Sequence, residues 1–143
     1  MMAYEKILVP LDGSPVSEQI LPHVEKLAMN GNASIHLVRV AFAHTIPGAD
    51  PTEPEVAVVR EAEDYLAAIA ERLGQKGLQV ETHVRYGHDA DEILDHCDQY
   101  DIDLIAMSTH GRSGVKRWML GSVAEKVIRH ATKPILLIRS KAE

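Results

Sequence analysis

The chain has 143 residues, of which 45% are apolar and 25% charged, a balance that predicts one soluble globular domain spanning residues 1–143. Its formal net charge of −6 offers no overall field to attract nucleic acid or an anionic membrane, so neither is expected as a partner. No apolar run approaches the length of a membrane span, and the opening Ile7-Leu8-Val9 run, broken by Pro10, is too short for a signal peptide. With Cys97 as the single cysteine, an intrachain disulfide is excluded and a cytoplasmic location is the default expectation.

Tyr4 to Leu11 reads as a first strand, followed by a turn at Asp12-Gly13-Ser14-Pro15. Ser14 suits an N-cap and Pro15 a first helical position. The helix then carries Val16, Ile20, Val24, Leu27 and Ala28 on its apolar stripe, is kinked at Pro22 and ends at Asn30-Gly31-Asn32. Ser34 to Val40 is a second strand. Ala41 to Pro54, rich in proline, reads as a long loop, of the kind that is usually functional or disordered.

Glu55 to Leu73 is an amphipathic helix closed by Gly74, and Leu78 to Val84 alternates as a third strand. Gly87 turns the chain into a helix with Asp89 and Glu92 spaced as a capping box. Asp103 to Met107 is a fourth strand, Ser108 to Gly121 a second long loop, Ser122 to His130 a helix, and Pro134 to Arg139 a fifth strand. This alternation predicts an α/β fold, a doubly wound, open, five-stranded parallel sheet with helices on both faces, Rossmann-like. Continuous apolar first and fourth strands belong at the centre and the alternating third at an edge, which fits the order 3-2-1-4-5. A ligand is then expected beyond the carboxyl ends of strands 1 and 4, where the winding reverses, beside Asp12 and the loop that starts at Ser108.

That loop holds three glycines (Gly111, Gly114, Gly121) and the cations Arg112, Lys116 and Arg117, with no acid, in a chain that is acidic overall. Glycines let backbone N–H groups approach an anion, and Gly121-Ser122 opens a helix whose N-terminus favours negative charge. Together they describe a phosphate cradle. The competing reading is plain: Ser122 and Glu125 also match a capping box, and the glycines could be turn residues only. Neither the Walker pattern nor G-x-G-x-x-G after the first strand is present, which argues against a P-loop NTPase and a dinucleotide-dependent enzyme.

At this point the chain resembles the universal stress protein family. Its nucleotide-binding members carry G-x-x-G, nine residues, then G-S/T; here Gly111, the nine residues Arg112 to Leu120, and Gly121-Ser122 match, while Ser108 replaces the first glycine. Ile7 to Ser14 and Ser108 to Arg139 also look like the family. The resemblance implies ATP, or AMP, as ligand, with Mg²⁺ or Mn²⁺ alongside the triphosphate. It implies that Asp12 contacts the adenosine, Pro10 shapes that pocket, Val40 offers backbone groups to adenine, and Met107 and Ser108 line base and ribose. Gly111, Arg112, Gly121, Ser122 and Val123 would hold the phosphates. The small Ser108 side chain is expected to leave binding intact.

The remaining residues carry less. His83, His88 and His96 fall on different elements with no H-x-x-x-H spacing, so no metal site is expected. His110 either assists an anion or lies on the surface. Cys97 reads as a half-buried structural thiol. No serine sits on a nucleophile elbow, and no catalytic residue is assigned. Trp118 either anchors the glycine loop or faces a partner, and the loop from Ala41 either covers the adenine side or lacks order in the empty protein. The apolar fifth strand at a sheet edge predicts a two-fold homodimer, which the resemblance also implies. The leading expectation is a nucleotide-binding regulatory protein with an unidentified protein partner. A slow ATPase and a nucleotide-independent dimeric stress protein are the alternatives.

Overall fold

The computed structural model describes residues 4–29, 32–42, 48, 50, 52–112, 114–115 and 119–142. The expected roles of Asn30-Gly31, of much of the 41–54 loop, and of Lys116, Arg117 and Trp118 lie outside the described residues. Five strands, β1 (Lys6–Pro10), β2 (Ser34–Ala41), β3 (Gln79–Tyr86), β4 (Leu104–Ser108) and β5 (Ile135–Ile138), alternate with α1 (Leu21–Met29), α2 (Thr52–Gly74), α3 (Asp89–Gln99) and α4 (Ser122–His130). The sheet order is β3-β2-β1-β4-β5 and every pairing is parallel. The expected fold and strand order are the observed ones.

Side-chain alternation along the strands divides the core into two layers. Ile7, Val9, Ile35, Leu37, Leu104 and Ala106 face α1 and α2 through Leu21, Val24, Leu66, Ile69 and Leu73. Leu8, Val38, Ile105 and Met107 face α3 and α4 through Ile93, Cys97, Ala124 and Val127. The first two crossovers thus cover one face and the last two the other. The winding direction reverses between β1 and β4, which pair at Ile7 with Leu104 and Leu8 with Ile105.

Several local expectations are corrected. The segment after Ser14 is a 3-10 turn, Ser17–Ile20, before α1 starts at Leu21. Pro22 therefore sits in the first turn of α1, where its missing N–H has no ladder partner to lose, instead of kinking a longer helix. Leu27 is exposed, off the buried stripe of Leu21, Val24 and Ala28. The helix α2 begins at Thr52, three residues early, because Pro54 is tolerated in a first turn. The Thr52 N–H donates to Asp50 Oδ1 at 3.0 Å. Cys97 is fully buried, not half-buried, and burial pushes its thiol up.

The capping box at Asp89 and Glu92 does not form. His88 is the N-cap of α3 without a side-chain bond, Asp89 already lies inside the helix, and the Glu92 carboxylate takes Arg85 Nε at 2.9 Å. A buried-edge guanidinium is the stronger partner for a carboxylate than a main-chain N–H.

Candidate functional site

At the carboxyl ends of β1 and β4 lies a cavity of about 400 Å³, a volume within the range of small-molecule sites. Pro10, Asp12, Val40, Met107, Ser108, Gly111, Arg112, Gly121, Ser122 and Val123 all line it. Leu11, Ser17, Val38, Asp89, Ile93, Thr109 and Ala124, which the sequence did not mark as ligand-binding, line it as well, as does His110, expected either to assist an anion or to lie on the surface. Their signal was position: Leu11, Thr109, His110 and Ala124 adjoin marked residues, Val38 lies two residues before Val40 on β2, and Asp89 and Ile93 lie in the first turns of α3, while Ser17, in the 3-10 turn, carried none.

Asp12 leaves the end of β1 and is held on both oxygens. Oδ1 accepts the Ser14 N–H at 3.0 Å and the Ser14 hydroxyl at 2.5 Å, while Oδ2 accepts the Arg112 N–H at 2.5 Å. The Arg112 side chain returns to the Asp12 main-chain carbonyl through Nη2. Burial by itself raises the Asp12 carboxyl, but the bonds from Ser14, Arg112 and Ser17 outweigh it and hold the group below its ordinary value. Asp89, which also lines the cavity, is held above its ordinary value, first by burial and then by the charge of Asp12.

The glycine loop is built by close approach. A Cβ on Gly111 would fall on Asp12 Oδ2, and one on Gly121 would come within 2.8 Å of the Thr109 carbonyl oxygen. The Gly121 N–H donates to that same carbonyl at 2.9 Å. Glycine at both positions is a packing requirement, since any side chain would push the loop off the end of β1 or β4.

His110 braces this loop from within. Its Nε2 lies 2.6 Å from the Met119 carbonyl oxygen, which can only accept, so the proton is on Nε2 and Nδ1 accepts from the Thr109 hydroxyl at 2.8 Å. Ser140, just after β5, donates its N–H to Thr109 Oγ1 at 2.9 Å, and its hydroxyl accepts the His110 N–H at 3.0 Å. Both ring nitrogens of His110 are thus engaged within the loop.

Ser108, where the motif has glycine, is buried, and its hydroxyl donates to the Ser17 carbonyl at 3.0 Å. It ties the end of β4 to the 3-10 turn. The Ser122–Glu125 capping box is also absent. Gly121 is the N-cap without a side-chain bond, and Glu125 pairs with Arg129 Nη2 at 2.7 Å. Among the described residues, the first N–H groups of α4 therefore have no side-chain cap beside the cavity.

The histidines do not stay apart as expected. The parallel register of β2 and β3 and the packing of α3 bring His36, His83 and His96 together, each offering a nitrogen within 4.8 Å of the others. Burial lowers all three rings from the ordinary imidazole value, His96 to about 4. Sequence spacing could not show this, because each residue comes from a different element.

The family model "Universal stress protein family" matches residues 3–139. Universal stress protein MJ0531 of Methanocaldococcus jannaschii is 30% identical over 141 residues, covering 95% of this chain and 82% of that protein. The solved structure of MJ0577, from the same organism, superposes with a TM-score of 0.87 at 29% identity, over 99% of this chain and 100% of that one. A universal stress protein solved in complex with cAMP aligns at 25% identity and a TM-score of 0.68, over 98% of this chain and 100% of that one. The chain belongs to the universal stress protein family. Among the described residues, no helix is long and apolar enough to cross a membrane.

Proposed function

We propose that this protein binds an adenine nucleotide in the cavity at the ends of β1 and β4 and acts as a nucleotide-responsive regulatory protein. The observation that carries the reading is that Gly111, Arg112 and Gly121 line a cavity of about 400 Å³ together with Ser122 and Val123 at the N-terminus of α4. Backbone N–H groups of Ser122 and Val123 would meet the phosphates. Arg112 adds a cation at the rim, and Val40, Met107 and Pro10 supply the apolar wall for the base. The related structure in complex with cAMP supports an adenine-containing ligand.

Regulation is favoured over catalysis by the state of the carboxylates. Asp12 and Asp89 are the acidic residues lining the cavity among those described, and Asp12 is bonded on both oxygens. Asp12 is therefore not free to orient water, which leaves Asp89 as the other described lining carboxylate, and any ATP hydrolysis would be slow. An accompanying Mg²⁺ or Mn²⁺ would be held chiefly by phosphate oxygens and water, as hard cations usually are. Asp89 is the wall residue with a carboxylate to contribute. The apolar edge strand β5 supports a homodimer, which sedimentation at micromolar concentration would test.

The test is calorimetric titration of nucleotide-stripped, folded protein with Mg-ATP, AMP and cAMP. Saturable heat with ATP, weaker with AMP, is the expected result. No heat with any of the three at millimolar nucleotide would end the proposal and favour a nucleotide-independent role for the dimer surface. Turnover near one per second, lost in Gly121→Val, would replace regulation with an ATPase.

A further inference from the structure

A second site lies on the sheet face beneath α3, remote in sequence from the glycine loop. His36 on β2, His83 on β3 and His96 on α3 converge there, with His36 and His96 buried and His83 half-buried. His36 Nδ1 and His83 Nε2 are 3.4 Å apart. Bonds of about 2.0–2.1 Å from zinc to imidazole place two nitrogens of a tetrahedral site about 3.3 Å apart, so this spacing already matches one edge.

The tautomers suit ligation. His36 Nε2 lies 3.0 Å from the Ser34 hydroxyl and 3.5 Å from Glu81 Oε2. A carboxylate on the outer nitrogen keeps the proton there and turns the Nδ1 lone pair inward, the arrangement that orients metal-bound histidines. His96 Nε2 is buried and has no hydrogen-bond partner. A buried polar atom left without a partner is costly, and such exceptions call for a physical reason.

Two cations, Arg85 and Lys6, act on the cluster against two nearby carboxylates, Glu92 and Glu81. Arg85 pairs with Glu92 at 2.9 Å and with Gln99 at 2.9 Å, and its Nη1 lies 3.2 Å from His96 Nδ1. Arginine only donates, so His96 Nδ1 accepts and Nε2 carries the proton in the metal-free protein. Ligation through Nε2 moves that proton to Nδ1 and leaves Nη1 on Gln99 alone. Glu81 supplies a second negative charge, and Tyr100 lies against His83 and His96, with ring centroids 4.8 and 4.3 Å away.

We propose that His36, His83 and His96 form a binding site for a late first-row divalent cation, with Zn²⁺ as the fitting occupant, which displaces the proton between His36 and His83 and satisfies His96 Nε2. Three neutral imidazoles select zinc, copper or nickel over magnesium or calcium.

Metal-stripped, nucleotide-free protein should be titrated with Co²⁺, followed through its visible ligand-field bands, and then competed with Zn²⁺. The expected result is one equivalent per chain, a rise in melting temperature, and affinity at least about tenfold weaker in His83→Gln. His88→Gln, outside the cluster, should leave it unchanged. Should His83→Gln fold poorly, the imidazole ¹⁵N shifts of wild-type protein at one equivalent of Zn²⁺ decide instead, with His36, His83 and His96 expected to move together. Folded wild-type protein that gives no cobalt spectrum at millimolar Co²⁺, or binding that survives His83→Gln, or zinc shifts confined to other histidines, would overturn the proposal. Because no nucleotide is present, the outcome is independent of the cavity at β1 and β4.

Discussion

Asp12 and Arg112 hold each other in two directions: the Arg112 N–H donates to the Asp12 carboxylate, and the Arg112 guanidinium donates to the Asp12 carbonyl. The pair joins the end of β1 to the glycine loop across the point where the sheet reverses its winding.

Asp12→Asn removes the charge and forces an N–H₂ group against either the Ser14 or the Arg112 N–H. Hydrogen bonds to charged groups contribute about 1.5–3 kcal/mol each, and partial exposure here lowers the expected loss to about 1–2 kcal/mol. The native carboxyl is depressed, so its contribution is complete above the ordinary value of 3.8 and is lost as pH falls below it through the native value. Urea unfolding of wild type and variant should therefore differ at pH 7 and converge in acid. A difference that persists unchanged below the native value would assign the effect to packing.

Gly111→Ala should break the Asp12–Arg112 link, and Gly121→Ala should displace the Thr109 carbonyl. Each is expected to weaken ATP binding by about tenfold or more, equivalent to about 1.4 kcal/mol, with circular dichroism unchanged. Calorimetry with ATP checks this. Wild-type affinity in both variants would mean that the loop does not hold the phosphates.

Ser108→Gly restores the family motif but deletes the bond to the Ser17 carbonyl. Loss of one hydrogen bond and the added chain entropy of glycine in a strand predict a destabilisation of about 1–2.5 kcal/mol. ATP affinity should change less than about threefold, or under 0.7 kcal/mol, because the hydroxyl faces Ser17. Parallel urea and calorimetric measurements separate the two effects.

His110→Ala removes the brace between Thr109 and the Met119 carbonyl. The expected loss is about 1–2 kcal/mol of stability, for two hydrogen bonds of ordinary strength. Hydrogen exchange should quicken at Gly121, whose N–H is bonded to Thr109. Unaltered exchange there would show that the loop is rigid without the histidine.

The fold was legible because its signals are local. Apolar runs at Ile7 to Leu11 and Leu104 to Met107, and the alternation at Val80 to Val84, place strands and rank them from centre to edge. The residues lining the cavity could be named because the switch point brings together two loops that each announce themselves by composition. Partners of single side chains were not legible. Glu92 and Glu125 have capping spacing, yet arginines on neighbouring turns or strands compete for them and win. The histidine cluster was hidden for a related reason: His36 and His83 are neighbours only through the register of β2 on β3, and His96 only through the packing of α3.

Ser140 has a consequence for how the molecule transmits force. Through Thr109 and His110 it fastens the exit of the edge strand to the root of the glycine loop, while Lys141 exchanges hydrogen bonds with Gln19 beside the 3-10 turn. One short stretch of backbone therefore serves both the sheet edge and the cavity rim. If the edge pairs with a second copy and the cavity holds a nucleotide, as proposed above, any preference of one for a particular position of that stretch would be returned in equal measure by the other, since coupling between two binding events is reciprocal.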